Sequence, residues 1–162
     1  AKTLSELPKS KNSVAIVTNG GGAGVLMTDY LTSLGIKLAK LRPKAIRKLD
    51  PYMHPAYSKS NPLDLVGDAT PKRYQIAINT LLSQKNINAL VVIQTLQTMT
   101  DTLKDAKIVI QARKKFPKKP IICVYMGGKF SKKGIELLNK HKIPDFNDPK
   151  KAALALNALI LK

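Results

Sequence analysis

Four short segments of this 162-residue chain concentrate glycine, amide and hydroxyl groups in a way suited to holding an anion. The sharpest is TNGGGAG, Thr18 to Gly24. Gly20, Gly21, Gly22 and Gly24 let backbone amides approach a ligand where Cβ atoms would clash. A helix starting at that turn aims its free N–H groups and positive dipole end at the same spot, a geometry that favours phosphate or carboxylate. A glycine turn that merely packs helix on sheet is the plainer alternative. The run is not a Walker loop, because no Gly-Lys-Ser/Thr follows. It also misses the third glycine of the dinucleotide fingerprint, and no acidic residue ends a second strand to hold a ribose.

The other segments are QTLQTMTD from Gln94 to Asp101, NPLDLVGDAT from Asn61 to Thr70, and MGG from Met126 to Gly128. Gln97, Thr98 and Thr100 precede a helix for which Asp101 is the natural cap, so this loop forms a second helix start. Asn19 suits either a ligand carboxylate or its own turn. Asp64 and Asp68 have the chemistry of a Mg²⁺ site, but two carboxylates on one loop also make turns, and no metal site is assigned. Gly127 and Gly128 admit a ligand or simply end a strand. No catalytic base joins the cluster: His54 lies in a Pro-flanked loop and His141 in a basic turn, and no nucleophile elbow or close carboxylate pair is present. The single cysteine, Cys123, sits in the apolar run PIICVY and reads as a buried, inert thiol.

Positioning these segments requires strands that end together, and the chain alternates β and α signals throughout. Ser13 to Thr18 is a β-branched run stopping at Asn19. A helix follows, with Val25, Leu26, Tyr30, Leu31 and Leu34 as its apolar positions and Gly35 as its C′ residue. Ile36 to Leu41 reads as a second strand, then a two-turn helix PKAIRKL and a long loop to Asp68. Helices are expected from Pro71 to about Gln84, from Asp101 to Phe116, from Ser131 to His141, and from Asp148-Pro149 onward with Ala153, Leu154, Leu156 and Leu159 inward. Strands three and four are Ala89 to Ile93 and Pro120 to Tyr125, and Ile143, Pro144 and Phe146 mark a short fifth. Short apolar strands separated by helices make an α/β, flavodoxin-like doubly wound sheet of about five parallel strands, order 2-1-3-4-5. Residues 1–12 read as a linker-like segment and 13–162 as the domain. In such a sheet ligands bind beyond the carboxyl ends of the strands at the switch in strand order, which is where all four segments fall.

Composition narrows the partners. Twenty-eight Lys and Arg against ten Asp and Glu give a net charge of +18, a balance that raises nucleic acid as a partner. Yet only Arg42, Arg47, Arg73 and Arg113 are arginine, and three Phe, five Tyr and no Trp leave few stacking platforms. A solvated Lys-rich surface, or an acidic partner or anionic substrate, fits better. No apolar run reaches the roughly 18 residues of a membrane span, and the first residues carry no signal core, so a cytoplasmic protein is expected.

The motifs VAIVTNGGGAGVLMTDYL (14–31), NPLDLVGDATPKRY (61–74), ALVVIQTLQTMTD (89–101), MGG (126–128) and GIELLNKHKIPDFNDPKKAALAL (134–156), in order and correctly spaced, resemble the succinyl-CoA-ligase-like flavodoxin domain of NDP-forming acyl-CoA synthetases. TNGGGAG is also similar to a stretch in the carboxyl-terminal domain of succinyl-CoA synthetase β chains. The resemblance implies an acid–thiol ligase interconverting acyl-CoA, ADP and phosphate with acid, CoA and ATP through an acyl phosphate and a phosphohistidine. It implies that Asn19 and Thr95, Leu96, Gln97 and Thr98 face the acyl carboxylate or acyl phosphate, and that the amides of Gly20 to Gly24 hold the anion. Asn61, Asp64, Gly127 and Gly128 are further candidates. Ala23 and Leu96 stand where the family often has proline; neither change removes a donor. The CoA-binding, phosphohistidine and ATP-grasp parts, with CoA, ADP/ATP and Mg, are implied to lie elsewhere, so this chain is expected to be an excised or separately encoded piece, inactive alone and binding no cofactor by itself. A stand-alone anion- or acyl-CoA-binding regulatory module is the rival.

Overall fold

The computed structural model describes residues 5–161. Its sheet contains β1 (Val14–Thr18), β2 (Leu63–Asp64), β3 (Ala89–Thr95) and β4 (Ile121–Met126), all parallel, in the order β2-β1-β3-β4. The helices are α1 (Gly21–Ser33), α2 (Pro43–Leu49), α3 (Pro71–Leu82), α4 (Thr102–Lys115), α5 (Lys132–Lys140) and α6 (Pro149–Asn157). Strand side chains alternate between two cores, as a period of two requires. Ala15, Val17, Leu90, Val92, Cys123 and Tyr125 share one with Tyr74 and Ile78 of α3 and Val109 of α4. Val14, Ile16, Val91, Ile93 and Val124 share the other with Met27 and Leu31 of α1 and Ala153 and Leu156 of α6. The architecture is the doubly wound, flavodoxin-like one expected. Among the described residues no helix is long and apolar enough to cross a membrane.

The expected helix boundaries follow their capping chemistry. Thr70 accepts from the Arg73 N–H at 3.4 Å behind Pro71, Asp101 from Lys104 N–H at 3.0 Å, and Asp148 from Lys150 N–H at 2.8 Å. Gly35 closes α1 at φ +74°, a left-handed conformation that places Ile36 N–H on Leu31 O and Gly35 N–H on Thr32 O, both at 2.9 Å. Leu7, within the segment expected as a linker, is buried in the second core, and Ser10 pairs with Ile160; residues 1–4 lie outside the described residues.

Both sheet edges differ from expectation. Ile36 to Leu41 makes only a single bridge, Leu38 to Val14, and the strand beside β1 is Leu63–Asp64. The side chain of Asn61 joins the two: Oδ1 accepts from Ile16 N–H at 2.9 Å, and Nδ2 donates to Val14 O and Ala39 O, each at 2.9 Å. The edge of β1 is therefore satisfied first by backbone, then by an amide side chain, then by backbone again. On the far edge the expected fifth strand is one bridge, Asp145 to Cys123, and Asp145 Oδ1 takes the Tyr125 N–H at 2.9 Å where a strand carbonyl would stand.

Two helices also turn differently. Val25 and Leu26 are exposed, at 57% and 50%, because α1 faces the sheet with Gly24, Met27 and Leu31. Gly24 permits this orientation: a Cβ there would lie 3.1 Å from Thr18 Cγ2 and 3.2 Å from Pro62 Cβ. Leu154 of α6 likewise points outward.

Candidate anion site at the carboxyl ends of the strands

The TNGGGAG turn and the loop after β3 meet. Asn19 is buried, and its amide is committed to the facing loop: Oδ1 accepts from Thr95 N–H at 2.7 Å and Thr95 Oγ1 at 3.0 Å, while Nδ2 donates to Thr95 O at 2.9 Å. Thr100 ties the same loop, accepting from Gln97 N–H at 2.9 Å and donating to Thr95 O at 3.1 Å. Asn19 thus holds the site's shape, and the groups left to face a ligand are main-chain amides and the exposed side chains of Gln97 and Thr98. Gln97 Nε2 reaches back to Thr95 Oγ1 at 3.2 Å.

The start of α1 is open. Gly20 is its N-cap, its N–H is held by Thr18 Oγ1 at 3.0 Å, and no side chain caps the helix. Helix geometry leaves the amides of Gly21, Gly22 and Ala23 without intrahelical partners, pointing out along the axis. No acidic residue occupies the first turn. The approach is close: a Cβ on Gly20 would fall 2.7 Å from Thr95 Cγ2, and one on Gly21 would fall 2.8 Å from Asp64 Oδ2, whereas Gly22 has nothing within 4 Å. Asp64 therefore flanks the helix start on the Gly21 side, and Gly22 is the open position. Its Oδ1 accepts from Val66 N–H at 2.9 Å.

The remaining candidates divide. Gly127 adjoins the loop after β3, since a Cβ there would meet Ser131 Oγ at 2.2 Å and Leu96 Cβ at 3.6 Å, and Gly128 takes φ +54°. Leu96 is 45% exposed at the rim. Asn61 holds the β1 edge, and Gly24 packs α1 on β1. Both of these serve structure. His54 Nδ1 accepts from Ala56 N–H at 3.0 Å within its own turn.

Beneath the loop lies a pair that the motifs did not reveal. Gln94 Nε2 donates to Asp105 Oδ2 in a very short contact, both side chains buried, with Tyr125 OH, Gln94 Oε1 and Asp105 Oδ1 left without partners. Burial pushes the Asp105 carboxyl up to about 7 against the lowering effect of the Gln94 amide. Burial also pushes Asp145 to about 7. The sequence signal was faint: Gln94 is a polar residue ending an apolar strand. The second missed feature is an apolar ring in the order of the elements: Val25 and Leu26 near the start of α1, Leu96 and Met99 after β3, and Met126 and Phe130 at and after the end of β4 are all exposed, on elements that meet at this end of the sheet.

The profile of the Ligase-CoA domain matches residues 14–159. The alpha subunit of acetate–CoA ligase [ADP-forming] II from Pyrococcus furiosus is 37% identical over 158 residues, covering 95% of this chain and 34% of that subunit. The acetate–CoA ligase [ADP-forming] of Methanocaldococcus jannaschii is 39% identical over 153 residues, covering 93% of this chain and 22% of the relative. The acetyl-coenzyme A synthetase 1 of Ca. Korarchaeum cryptofilum, solved in complex with phosphate and ADP, superposes with a TM-score of 0.90 at 31% identity, covering 98% of this chain and 34% of that one. The chain thus spans roughly a third or less of the relatives it matches. With the family profile running from β1 through the end of α6, the chain belongs to the Ligase-CoA domain family.

Proposed function

We propose that this chain is a domain or subunit of an ADP-forming acyl-CoA ligase and supplies the wall that holds phosphate and the acyl group during the exchange of acyl-CoA, ADP and phosphate for acid, CoA and ATP. The observation that carries the reading is the uncapped start of α1, whose free amides at Gly21 to Ala23 open beside the end of β3, where Gly20 meets Thr95. Three aligned N–H groups and the helix dipole stabilise a phosphoryl or carboxylate oxygen without supplying a proton or nucleophile, so their contribution is to fix and neutralise the anion. Asn19 and Thr100 keep the facing loop in place.

The exposed apolar ring supports a second part of the reading. Exposed large apolar side chains gathered at the rim of a polar site mark a face that another domain covers. We assign that cover to the CoA-binding, phosphohistidine and ATP-grasp parts of the enzyme, to which CoA, ADP/ATP and Mg belong.

The test separates amide from side chain. Gly22→Pro removes one N–H at a first-turn position that accepts proline, and Gly21, lacking Cβ, eases the restriction on the preceding residue. Gly22→Ala keeps the N–H in open space. In the complete enzyme the proline variant is expected to lose roughly 10- to 150-fold in acyl phosphate turnover, the equivalent of one charge-assisted hydrogen bond, with alanine close to the parent. Equal rates for all three would place the anion elsewhere.

A further inference from the structure

At the opposite end of the sheet, α2 and the end of α3 enclose a second concavity. Its volume is about 330 Å³, and Arg42, Lys44 and Lys48 come from the α2 side while Thr80, Gln84 and Lys85 come from the α3 side. This lies away from the strand-end loops, since Gln84 and Lys85 lead into the amino end of β3 and the glycine turn meets its carboxyl end.

Three observations bear on what the concavity takes. First, its four cations come from both sides and no carboxylate lines it, and none of the ion pairs formed among the described residues involves them. Lys44 and Lys48 stand four apart on one helix face, a like-charge spacing that costs α2 stability until an anion neutralises it. Second, Gln84 Oε1 accepts from the Arg42 N–H at 3.2 Å, which ties the α2 side of the cleft to the α3 side and holds their cations in one arrangement. Third, a second concavity of about 360 Å³ shares Lys48 and Thr80 with the first and adds Lys72, Lys115 and Tyr52. The cation-lined space is therefore elongated.

We infer that the α2–α3 cleft is a binding site for an oligophosphate, a linear run of two or more phosphates laid from Arg42 and Lys85 past Lys48 toward Lys72 and Lys115. A single phosphate would engage only part of this charge. Lysines supply point charges along a chain of phosphates, whereas reading of bases calls for the arginine forks and stacking rings that this cleft largely lacks. The inference is independent of the site on α1.

Amide NMR on the whole chain titrated with inorganic tripolyphosphate at about 0.15 M salt, where exposed charges are screened beyond roughly 8 Å, tests it. Saturable shifts are expected first at Arg42, Lys44, Lys48 and Ser83 to Lys85. The variant Lys44→Ala/Lys48→Ala is expected to weaken binding about tenfold or more, and Lys132→Ala/Lys133→Ala, on a distant exposed helix face, to leave it unchanged. A parallel titration with ATP names the source: equal affinity means that the phosphates alone are recognised, and tighter binding with a shift at Tyr52 means a nucleotide, either of which supports the site. Shifts led by Gly20 to Gly24 or spread evenly over the lysine surface, or parent-like binding by the Lys44/Lys48 variant, would overturn it.

Discussion

Asn19 and Thr95 are joined by three hydrogen bonds of 2.7 to 3.0 Å, the backbone and hydroxyl of one residue closing on the amide of the other. This couples the turn before α1 to the loop before α4 across the β1–β3 pair. The candidate anion site is thus assembled by a contact between two of its own loops.

The first prediction tests that coupling. Asn19→Ala leaves the Thr95 N–H and C=O without these partners in a buried place, which costs about 1 to 3 kcal/mol. Denaturant midpoints should fall accordingly, and amide exchange at Gln97 and Thr100 should accelerate. Had Asn19 faced only a ligand, stability would be unchanged and affinity alone would drop.

A second prediction concerns pH. Asp105 and Asp145, each pushed to about 7 by burial, bind protons in the folded chain that they release in the unfolded chain above the ordinary carboxylate value of 3.8. Stability from this source is complete below that value and is lost as pH rises through 7. A displacement of this size is worth on the order of 4 kcal/mol per group, as an upper figure. The Asp101 cap acts in the other direction: Lys104 N–H holds its carboxyl below the usual value, so that contribution falls away in acid. Asp105→Asn, which keeps shape near Gln94 without charge, is expected to flatten the decline between about pH 5 and 8 and to exceed the parent in stability at the upper end. An identical slope in the two proteins would mean that Asp105 ionises as in an open chain.

The sheet and its two cores were legible because apolar strands buried on both faces read as continuous runs, and Thr70-Pro71, Asp101, Asp148-Pro149 and Gly35 are boundary signals with a local mechanism. The edges were not, because there the ladder is completed by side chains. Nothing in Asn61 or Asp145 by itself says that an amide or carboxyl will stand in for a strand. The orientation of α1 was missed for a related reason: Val25 and Leu26 look like core residues, but Gly24 sets the contact with the sheet. In the candidate site, type and spacing single out TNGGGAG and QTLQTMTD, which the fold brings together, whereas the inward turn of the Asn19 amide depends on Thr95, 76 positions away.

A third prediction follows from close packing of α5. A Cβ on Gly134 would lie 2.5 Å from the backbone oxygen of Thr102 at the start of α4, and backbone cannot swing aside as a side chain can. Gly134→Ala should gain helix propensity yet destabilise the fold by about 1 to 3 kcal/mol as α5 is pushed away, since overpacking outweighs the propensity gain. A thermal melt decides the sign. An increase in Tm would mean that α5 already sits farther from α4.

The last prediction uses the apolar ring to separate folding from assembly. Phe130 is 66% exposed and Leu26 is 50% exposed, so neither contributes much to the core of the isolated chain. Replacing either with serine should alter the stability of that chain by no more than about 0.5 kcal/mol, as for other surface positions. If the ring is covered by the rest of the enzyme, the same changes remove apolar side chains from a buried interface, where a large anchor is worth about 2 kcal/mol or more, roughly thirtyfold in affinity. The two measurements must therefore diverge: unchanged melting of the chain, weakened association with the remaining domains supplied in trans. Phe130 is the sharper probe because it stands on the 3₁₀ turn Gly128–Ser131, beyond the sheet and outside both cores. Association that survives both substitutions would show that the ring stays in solvent and that the enzyme meets this chain through another face.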